Sequence, residues 1–433
     1  MFDVILRRHD EGSVLLAAWP RDAPQCRSAA SKFFSLLLAL AKEPRSRGRQ
    51  IPTVSPAAKA ATLSLMPQPI RADHVGSLLR PAALLEARAG FARGELSKAA
   101  LAEQENAAIL QALDRQQQVG LQIFTDGEFR RESWITDMAA AVDGFVPQSR
   151  TVQWHTPAGE LLAEPSTSNV VGGRLQPRRR LTGDETAFLK QHITGPIKMT
   201  LPAPSNFWLV SWKDGVTTQA YASRSEMLQD VTHILRAEVE ALIDDGISYI
   251  QLDAPFYSVF IDDQQRARLR GVGIDPDRAL AEVVAADNAA IDALARDGLT
   301  LALHICRGNS RSRWLYQGGY NPIAEVLFNQ LAVDTFLLEY DSAERDGSFE
   351  PLRFLPPGKS AVLGLVTTKG PLLESQDELR KRIDEAARIV PLEQLALSPQ
   401  CGFASVAAGN ALAEDDQWRK LELVVETARK IWS

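Results

Sequence analysis

The stretch Leu301-Ala-Leu-His-Ile-Cys-Arg-Gly-Asn309 combines a buried strand with two soft metal ligands. Its apolar run ends at a Gly-Asn pair, which is typical of a strand that leads into a loop. Alternate residues of a strand share a face, so we expect His304 and Cys306 on one side, about 7 Å apart along the backbone. Zinc prefers histidine nitrogen and cysteine thiolate as ligands. The stretch therefore predicts half of a zinc site.

The composition indicates a globular protein. The 433 residues are 45% hydrophobic and 24% charged, and the net charge of −6 argues against a general binder of nucleic acids or anionic membranes. No run approaches the roughly 20 apolar residues of a membrane span. The cysteines are Cys26, Cys306 and Cys401. This sparse, odd count favours metal or catalytic use over disulfides, so we expect a reducing, cytoplasmic location.

Residues 1–66 differ from the rest of the chain. They are rich in Ala, Ser and Arg, lack a clear periodicity and include the basic run Pro44-Arg-Ser-Arg-Gly-Arg49. We predict a poorly ordered extension, either an upstream start or a transit segment, although its acidic residues count against transit. Met66 is a more natural beginning, and we assign residues 67–433 to one folded domain.

Strand and helix candidates alternate after residue 67. We count eight strand candidates, among them Tyr249–Asp253 and Thr335–Glu339, and predict a helix over Leu84–Gly120 with Ser97 as a cap. The polar segment from Val146 to about Lys190 fits an inserted hairpin. The predicted fold class is therefore α/β, a (β/α)8 TIM barrel with an insertion after the second strand. A doubly wound sheet is the competing fold, but no Gly-x-Gly-x-x-Gly follows an early strand.

Polar side chains follow several of these strands. The catalytic residues of a TIM barrel lie at the C-terminal ends of its strands. There His304, Cys306, Glu339 and Cys401 would supply one nitrogen, two sulfurs and one carboxylate, which are ligand types that zinc accepts. Ordinary roles are the alternative, because a buried cysteine usually acts as a small apolar residue and Glu339 would fit a salt bridge. The position of both cysteines just past a strand favours the metal site.

These residues carry a specific resemblance to a known family. The motifs around His304, Cys306, Glu339 and Cys401 are similar to the zinc ligands in the catalytic C-terminal barrel of cobalamin-independent methionine synthase, here in a single-barrel form. The resemblance covers about residues 68–433 and implies transfer of a methyl group, from N5 of a methylated tetrahydrofolate, to the thiol of homocysteine. Four further motifs follow in the family's order: Val75-Gly76-Ser77, Asp126-Gly-Glu-Phe129, Ile193-Thr-Gly-Pro196 and Gln251-Leu-Asp-Ala-Pro255.

The resemblance also implies how the substrate is held. In that family zinc binds the homocysteine thiol, while a serine and two carboxylates bind the amino acid; here these residues are Ser77, Glu128 and Asp253. Without the resemblance, ion pairs with Arg130 or Arg131 would explain the carboxylates equally well. We hypothesise that Glu339, the ligand with the weakest field, gives way when the substrate sulfur arrives.

The chain departs from the family in two respects. It has a single barrel, whereas full-length members carry a second one that helps to hold the folate; Arg178-Arg-Arg180 would contact an anionic donor or form a solvated charge run. The family's proton-donating histidine is absent, and Lys369 lies near its position. A lysine needs a strongly lowered pKa for such work. We predict Lys369 or His74 as the catalytic acid, although His74 equally fits a backbone contact, and Trp134 as a pocket residue.

Three alternatives stay open at this point. A related zinc-dependent alkyltransferase would use another donor or another acceptor thiol. A zinc hydrolase would need an open position that holds water, for which two thiolate ligands suit zinc poorly. A binding or regulatory barrel would keep zinc without turnover. The partners that we expect are homocysteine and a folate-like methyl donor, with no nucleic acid and no membrane, while the sequence does not define the oligomeric state.

Overall fold

The computed structural model describes residues 2–4, 18–20 and 69–433 and divides the chain into two compact units. In the first unit, Met1–Gln68, strands β1 (Phe2–Val4) and β2 (Ala18–Pro20) pair antiparallel. The prediction of a poorly ordered extension otherwise concerns residues outside the described ranges. The second unit, Pro69–Ser433, carries every feature discussed below.

A long antiparallel hairpin occupies the interval in which the sequence predicts an insertion. It consists of β3 (Val142–His155) and β4 (Leu161–Pro177). The pairing shifts register between Asp143 and Phe145, where Gly144 has a φ of +103°. Few hairpin positions are fully buried, which explains why its sequence is polar rather than uniformly apolar.

The second unit is built around a six-stranded parallel sheet. Almost every residue of these strands is buried, and parallel strands that are covered on both faces take continuous apolar sequences. Consecutive strands are neighbours in the sheet, so their carboxyl ends meet along one edge. The strands are β5 (Lys198–Pro202), β6 (Tyr249–Asp253), β7 (Thr300–Ile305), β8 (Thr335–Glu339), β9 (Ser360–Val366) and β10 (Leu395–Pro399).

Helices connect and cover these strands. No helix in the described part of the chain has both the length and the apolar character needed to cross a membrane. In chain order they are α1 (Ala82–Ala92), α2 (Lys98–Val119), α3 (Thr136–Ala141), α4 (Gly183–His192), α5 (Ser205–Val210), α6 (Arg224–Asp244), α7 (Asp263–Gly271), α8 (Pro276–Ile291), α9 (Ala324–Gln330), α10 (Ala343–Asp346), α11 (Gln376–Ala387) and α12 (Glu414–Trp432). Short 3-10 turns lie at Thr217–Gln219, Pro255–Phe260, Glu350–Phe354 and Leu392–Gln394.

The predicted helix over Leu84–Gly120 is two helices, α1 and α2. Gly94, with a φ of +77°, follows α1, and a left-handed residue at this position ends a helix. Ser97 then caps the start of α2 by accepting a backbone hydrogen bond, as predicted, and Gly120 ends α2 in the left-handed conformation. The prediction missed the break because the apolar spacing continues across it.

Two short segments extend the parallel sheet, one at each edge. Ala72 forms a parallel bridge with Leu397 of β10, and Phe124 forms one with Ile197, next to β5. The larger apolar cluster joins the helices to the sheet. A second, smaller cluster takes one residue from each of β6 to β10 together with two from the flanking segments: Val75, Ile123, Tyr249, Ala302, Leu337, Val362 and Ala396.

Candidate metal centre and substrate cavity

Three predicted zinc ligands meet at the carboxyl edge of the sheet. His304 lies near the end of β7, Cys306 directly follows that strand, and Cys401 follows β10. Their ligand atoms all lie within 4.8 Å of one another, and all three residues are buried. We call these three residues the metal group. Its nitrogen and two sulfurs are a donor set that suits zinc.

The imidazole of His304 is oriented for metal binding. Its Nδ1 atom lies 3.3 Å from the carbonyl oxygen of Leu337 on the neighbouring strand. A carbonyl only accepts hydrogen bonds, so Nδ1 carries the proton and Nε2 presents its lone pair. Nε2 is buried and has no hydrogen-bond partner among the described residues. This unpartnered atom is what a metal ligand requires.

The two thiols of the metal group differ in their ionisation. Contact with Cys306 and with His304 lowers the pKa of Cys401 well below the ordinary value of a thiol. Contact with Cys401 and burial raise the pKa of Cys306. One sulfur of the pair is therefore the preferred site of negative charge, which favours binding of a cation.

Glu339, the fourth predicted ligand, is held by other partners. Its Oε1 atom lies 3.0 Å from Lys369 Nζ and 2.9 Å from Arg345 Nη2, and its Oε2 atom accepts a hydrogen bond from the backbone N–H of Arg307 at 2.7 Å. Burial alone would raise the pKa of Glu339, but these positive charges outweigh it and hold the pKa at about 2. The Glu339 carboxylate is thus ionised. It is not one of the three residues of the metal group, whose ligand atoms lie within 4.8 Å of one another.

A cavity of about 370 Å³ connects the metal group with the three predicted substrate-binding residues. Ser77, Glu128 and Asp253 line it together with the metal group, and so does Trp134. The metal group together with Ser77, Glu128 and Asp253 forms what we call the strand-end wall. Each of these six residues is at most 6% exposed. The backbone at Gly402, next to Cys401, lies very close to the side chain of Ser77. A Cβ atom at Gly402 would lie 1.8 Å from Ser77 Oγ, so only glycine fits there.

Glu128 has a strained backbone and an unpaired oxygen. Its φ of +58° lies in the left-handed region that non-glycine residues rarely adopt. Oε1 accepts a hydrogen bond from Thr200 Oγ1 at 3.0 Å and lies 3.9 Å from Arg131 Nη1, whereas the buried Oε2 has no partner among the described residues. Burial raises the pKa of Glu128 to about 7 against the attraction of Arg131, with repulsion from Asp253 adding to the rise.

Asp253 is supported from inside the sheet by a chain of buried polar residues. Gln251 Nε2 donates to Asp253 Oδ1 at 2.8 Å, and Lys198 Nζ donates to Gln251 Oε1 at 3.1 Å and to Asp73 Oδ1 at 2.6 Å. Burial raises the pKa of Asp253 to about 6, although His304 opposes the rise. These hydrogen bonds were not predicted, but Tyr249, Gln251 and Asp253 alternate along β6, and that spacing places them on one face.

The two residues predicted as catalytic acids lie away from the cavity surface. Neither Lys369 nor His74 is among the described residues that line the cavity. Burial disfavours the charged form of Lys369, but attraction to Glu339 outweighs it, so the pKa of Lys369 is raised. Burial and the nearby Lys198 lower the pKa of His74 to about 4, and its Nε2 contacts the carbonyl of Ile123 at 3.2 Å. Neither shift suits proton donation near neutral pH, and both roles stay predictions.

The β3–β4 hairpin forms another wall of the cavity, a role that was not predicted from the sequence. Arg150 is the sole lysine or arginine among the described residues that line the cavity, and its guanidinium makes no hydrogen bond or ion pair with a described residue. In contrast, Arg178 pairs with Asp143 at 3.1 Å and Arg180 with Asp245 at 2.6 Å. The hairpin wall, as we call it, consists of Phe145, Arg150, Val152, Trp154, Ser166, Thr167, Ser168 and Asn169.

Comparison with known proteins identifies the family of the chain. Residues 71–429 match the family model described as cobalamin-independent synthase, catalytic domain. The uncharacterized protein YxjH of Bacillus subtilis is 38% identical over 370 residues, which make up 84% of this chain and 95% of that protein. A methionine synthase of Saccharolobus solfataricus is 23% identical over 82% of this chain and 93% of its own length.

A solved structure gives the same result. It comes from Listeria monocytogenes, was solved as a candidate vitamin-B12 independent methionine synthase, and superposes with a TM-score of 0.67 and 30% sequence identity. The superposition covers 85% of this chain and 99% of the other. The chain therefore belongs to the cobalamin-independent methionine synthase family.

Proposed function

We propose that the protein is a zinc-dependent methyltransferase that transfers the N5 methyl group of a methylated tetrahydrofolate to the thiol of homocysteine and so forms methionine. It would act as a 5-methyltetrahydropteroyltriglutamate-homocysteine S-methyltransferase. The observation that carries the proposal is that the metal group shares one cavity with Ser77, Glu128 and Asp253. Membership of the family supports methyl transfer as the reaction class.

In this proposal His304, Cys306 and Cys401 hold zinc, with Glu339 as an exchangeable fourth ligand. Zinc lowers the pKa of a thiol that it coordinates and thereby supplies a nucleophilic sulfur. Glu339 would be the fourth residue that holds the metal, and Lys369 and Arg345 are partners that its carboxylate has without the metal. These partners support exchange, because a carboxylate that is not bound to the metal still has positive charges beside it.

Glu128 and Asp253 would bind the ammonium of homocysteine, with Ser77 holding the rest of the amino acid. The unpartnered Oε2 of Glu128 supports this assignment, because a buried acceptor requires a donor. An ammonium beside two buried carboxylates favours their charged forms, so ligand binding and ionisation reinforce each other. The thiol end of the substrate would then point toward the metal group, which aligns the sulfur for attack on the donor methyl.

The hairpin wall would bind the methyl donor. Trp154 of this wall, and Trp134 elsewhere on the cavity surface, offer flat surfaces on which a planar ring system can stack. Arg150 offers a positive charge that has no ion-pair partner among the described residues. A folate-like donor combines a planar pterin with carboxylates, so both features support that class of donor over a small neutral one.

We also propose that the sheet closes into a (β/α)8 barrel. Support comes from the bridges of Ala72 and Phe124 at its two edges and from contacts between these edge segments. Thr125 Oγ1 donates to the carbonyl of Gly76 at 2.9 Å, and Leu78 N donates to the carbonyl of Gly127 at 3.0 Å. A cytoplasmic location is proposed as well, because two free cysteines within the described range suit a reducing compartment.

A donor screen tests the function. Purified, zinc-loaded protein is incubated with homocysteine and a panel of methylated folates and small methyl donors, and methionine is measured. Methionine formed from a methylated folate, and lost in His304→Ala, is the expected result. Methionine from other donors alone would favour a related zinc-dependent alkyltransferase, and no methionine from any donor would contradict the proposal.

A further inference from the structure

Asn309 is a buried amide on the cavity wall whose orientation is fixed. It follows β7 in the loop beyond Cys306, is 6% exposed, and lines the cavity. Its Nδ2 atom donates to the carbonyl oxygen of Gly402 at 2.7 Å and to Ser405 Oγ at 3.2 Å. A carbonyl only accepts hydrogen bonds, so the nitrogen end of the amide must face Gly402. The amide oxygen is therefore the free end.

That oxygen is unsatisfied within the described part of the chain. Oδ1 of Asn309 is buried and makes no hydrogen bond with any described residue. Glu128 Oε2 is a second unpartnered acceptor on the same cavity. Buried acceptors are almost always paired, and leaving one without a donor is costly. Both acceptors would be satisfied by a ligand that has several N–H donors and a positive charge.

The position of Asn309 relates this requirement to the metal group. Ser405 Oγ, which Asn309 Nδ2 contacts, lies 3.6 Å from Cys401 Sγ. Only one hydroxyl therefore separates the amide from a sulfur of the metal group. A ligand with its own sulfur at the metal group, and an ammonium a short carbon chain away, would reach this part of the cavity.

We propose that Asn309 is a further substrate-binding residue, whose Oδ1 accepts a hydrogen bond from the ammonium of homocysteine while Glu128 Oε2 accepts another. The inference rests on the proposed function, since it takes an amino-acid thiol as the substrate. Asn309 thereby selects thiols that carry a primary ammonium over thiols that lack one. A neutral acceptor beside the carboxylates adds this selectivity without adding a further negative charge to the cavity.

The experiment compares two thiols in the cobalt-substituted protein. Homocysteine and 4-mercaptobutyrate differ only in the amine, and the sulfur-to-cobalt absorption band gives a Kd for each without turnover. Asn309→Ala should weaken homocysteine binding roughly ten- to hundredfold, because a hydrogen bond to a charged group is lost, and should change the Kd of 4-mercaptobutyrate less than about twofold. Asn329→Ala is the matched control, since it removes an exposed asparagine amide that does not line the cavity, and it should leave both Kd values unchanged.

The outcomes separate the inference from the proposed function. If neither thiol changes the spectrum of the wild-type protein, the proposed function fails. If the wild type binds both thiols and Asn309→Ala weakens both equally, or weakens neither, the role of Asn309 is refuted while the proposed function stands. If Asn309→Ala does not retain cobalt or its thermal transition, Asn309→Ser replaces it, because the serine hydroxyl supplies a donor near the Gly402 carbonyl. The variant-to-wild-type ratios of Kd for the two thiols are then compared in the same way.

Discussion

The two walls of the cavity are built on different principles. The residues of the strand-end wall are at most 6% exposed, and the sheet fixes them through contacts such as Gln251 with Asp253 and Leu337 with His304. The residues of the hairpin wall are half-buried or exposed, and Arg150 has no ion pair with a described residue. Rigid strand ends suit thiol activation, whereas a surface hairpin can change its sequence without disturbing the sheet. In the proposed function, thiol chemistry and donor recognition would therefore be carried by separate parts of the chain.

The largest expected effect follows removal of a ligand from the strand-end wall. Cys401→Ser should abolish stoichiometric zinc binding and reduce methionine formation to below about 1% of wild type, because a hydroxyl is a poor substitute for a thiolate at zinc. Metal analysis of the purified variant and methionine formation measure the two effects. Cys26→Ser is the matched control and should keep both. Full zinc content in Cys401→Ser would remove this residue from the metal site.

The next largest effect concerns substrate binding on the same wall. Glu128→Gln removes the charge that we assign to the substrate ammonium and should lower kcat/KM for homocysteine roughly ten- to hundredfold. Glu132 also lines the cavity, but its side chain is 73% exposed. Glu132→Gln should therefore stay within about twofold of wild type. Equal losses in the two variants would show that the cavity responds to charge in general rather than to Glu128.

Across the cavity, a smaller and donor-specific effect is expected. Arg150→Ala should raise KM for a methylated folate about three- to fivefold, since an exposed cation contributes modestly to anion binding, and should leave KM for homocysteine unchanged. Steady-state kinetics with each substrate varied in turn measure both values. Arg178→Ala, which removes an arginine paired with Asp143, is the control. A change in KM for homocysteine would contradict the division of labour between the walls.

The smallest expected effect is on pH-dependent stability. Burial raises the pKa of Asp287 to about 7, despite hydrogen bonds from Tyr257 and Ser205. When the pKa of a carboxyl group is higher in the folded than in the unfolded protein, the group stabilises the fold at a pH below its unfolded-state pKa. This stabilisation is lost as the pH rises through the folded-state pKa. The melting temperature should therefore fall between about pH 4 and 7, and Asp287→Asn should reduce that fall by a few °C.

A carboxylate of the hairpin provides the control for this measurement. Glu164 has a pKa that is lowered by its hydrogen bond with Arg313, so its contribution to stability has the opposite sign and is lost as the pH falls. Glu164→Gln should therefore leave the decline between pH 4 and 7 in place. Calorimetric scans across this range compare the three proteins. An Asp287→Asn variant with the same decline as wild type would show that other buried acids, such as Glu185, dominate it.

Local patterns were sufficient to predict several of the parallel strands. The predicted bounds of Tyr249–Asp253 and Thr335–Glu339 agree with β6 and β8, because each apolar run ends at an acidic residue followed by a turn. The same reasoning placed His304, Cys306 and Cys401 near one another, since parallel strands bring their carboxyl ends to one edge. The break between α1 and α2 was missed because apolar spacing outweighed the signal of Gly94.

Long-range pairing was beyond the reach of sequence patterns. Lys369 contacts Glu339 from 30 positions away, and Lys198 contacts Asp73 from 125 positions away, so no periodicity relates either pair. The role of the hairpin was missed for a similar reason. In a polar strand pair, residue spacing does not show which face lines a cavity. In the sequence alone, Arg150 therefore cannot be told from any other exposed arginine.

The contact between Gly402 and Ser77 has a consequence for how activity arises during synthesis. Gly402 leaves room for the Ser77 hydroxyl, and its neighbour Cys401 supplies one of the sulfurs. A nascent chain that has emerged only as far as β9 therefore lacks both a thiolate and the backbone against which Ser77 packs. The three residues of the metal group can therefore meet only after the late segment has docked onto the early one.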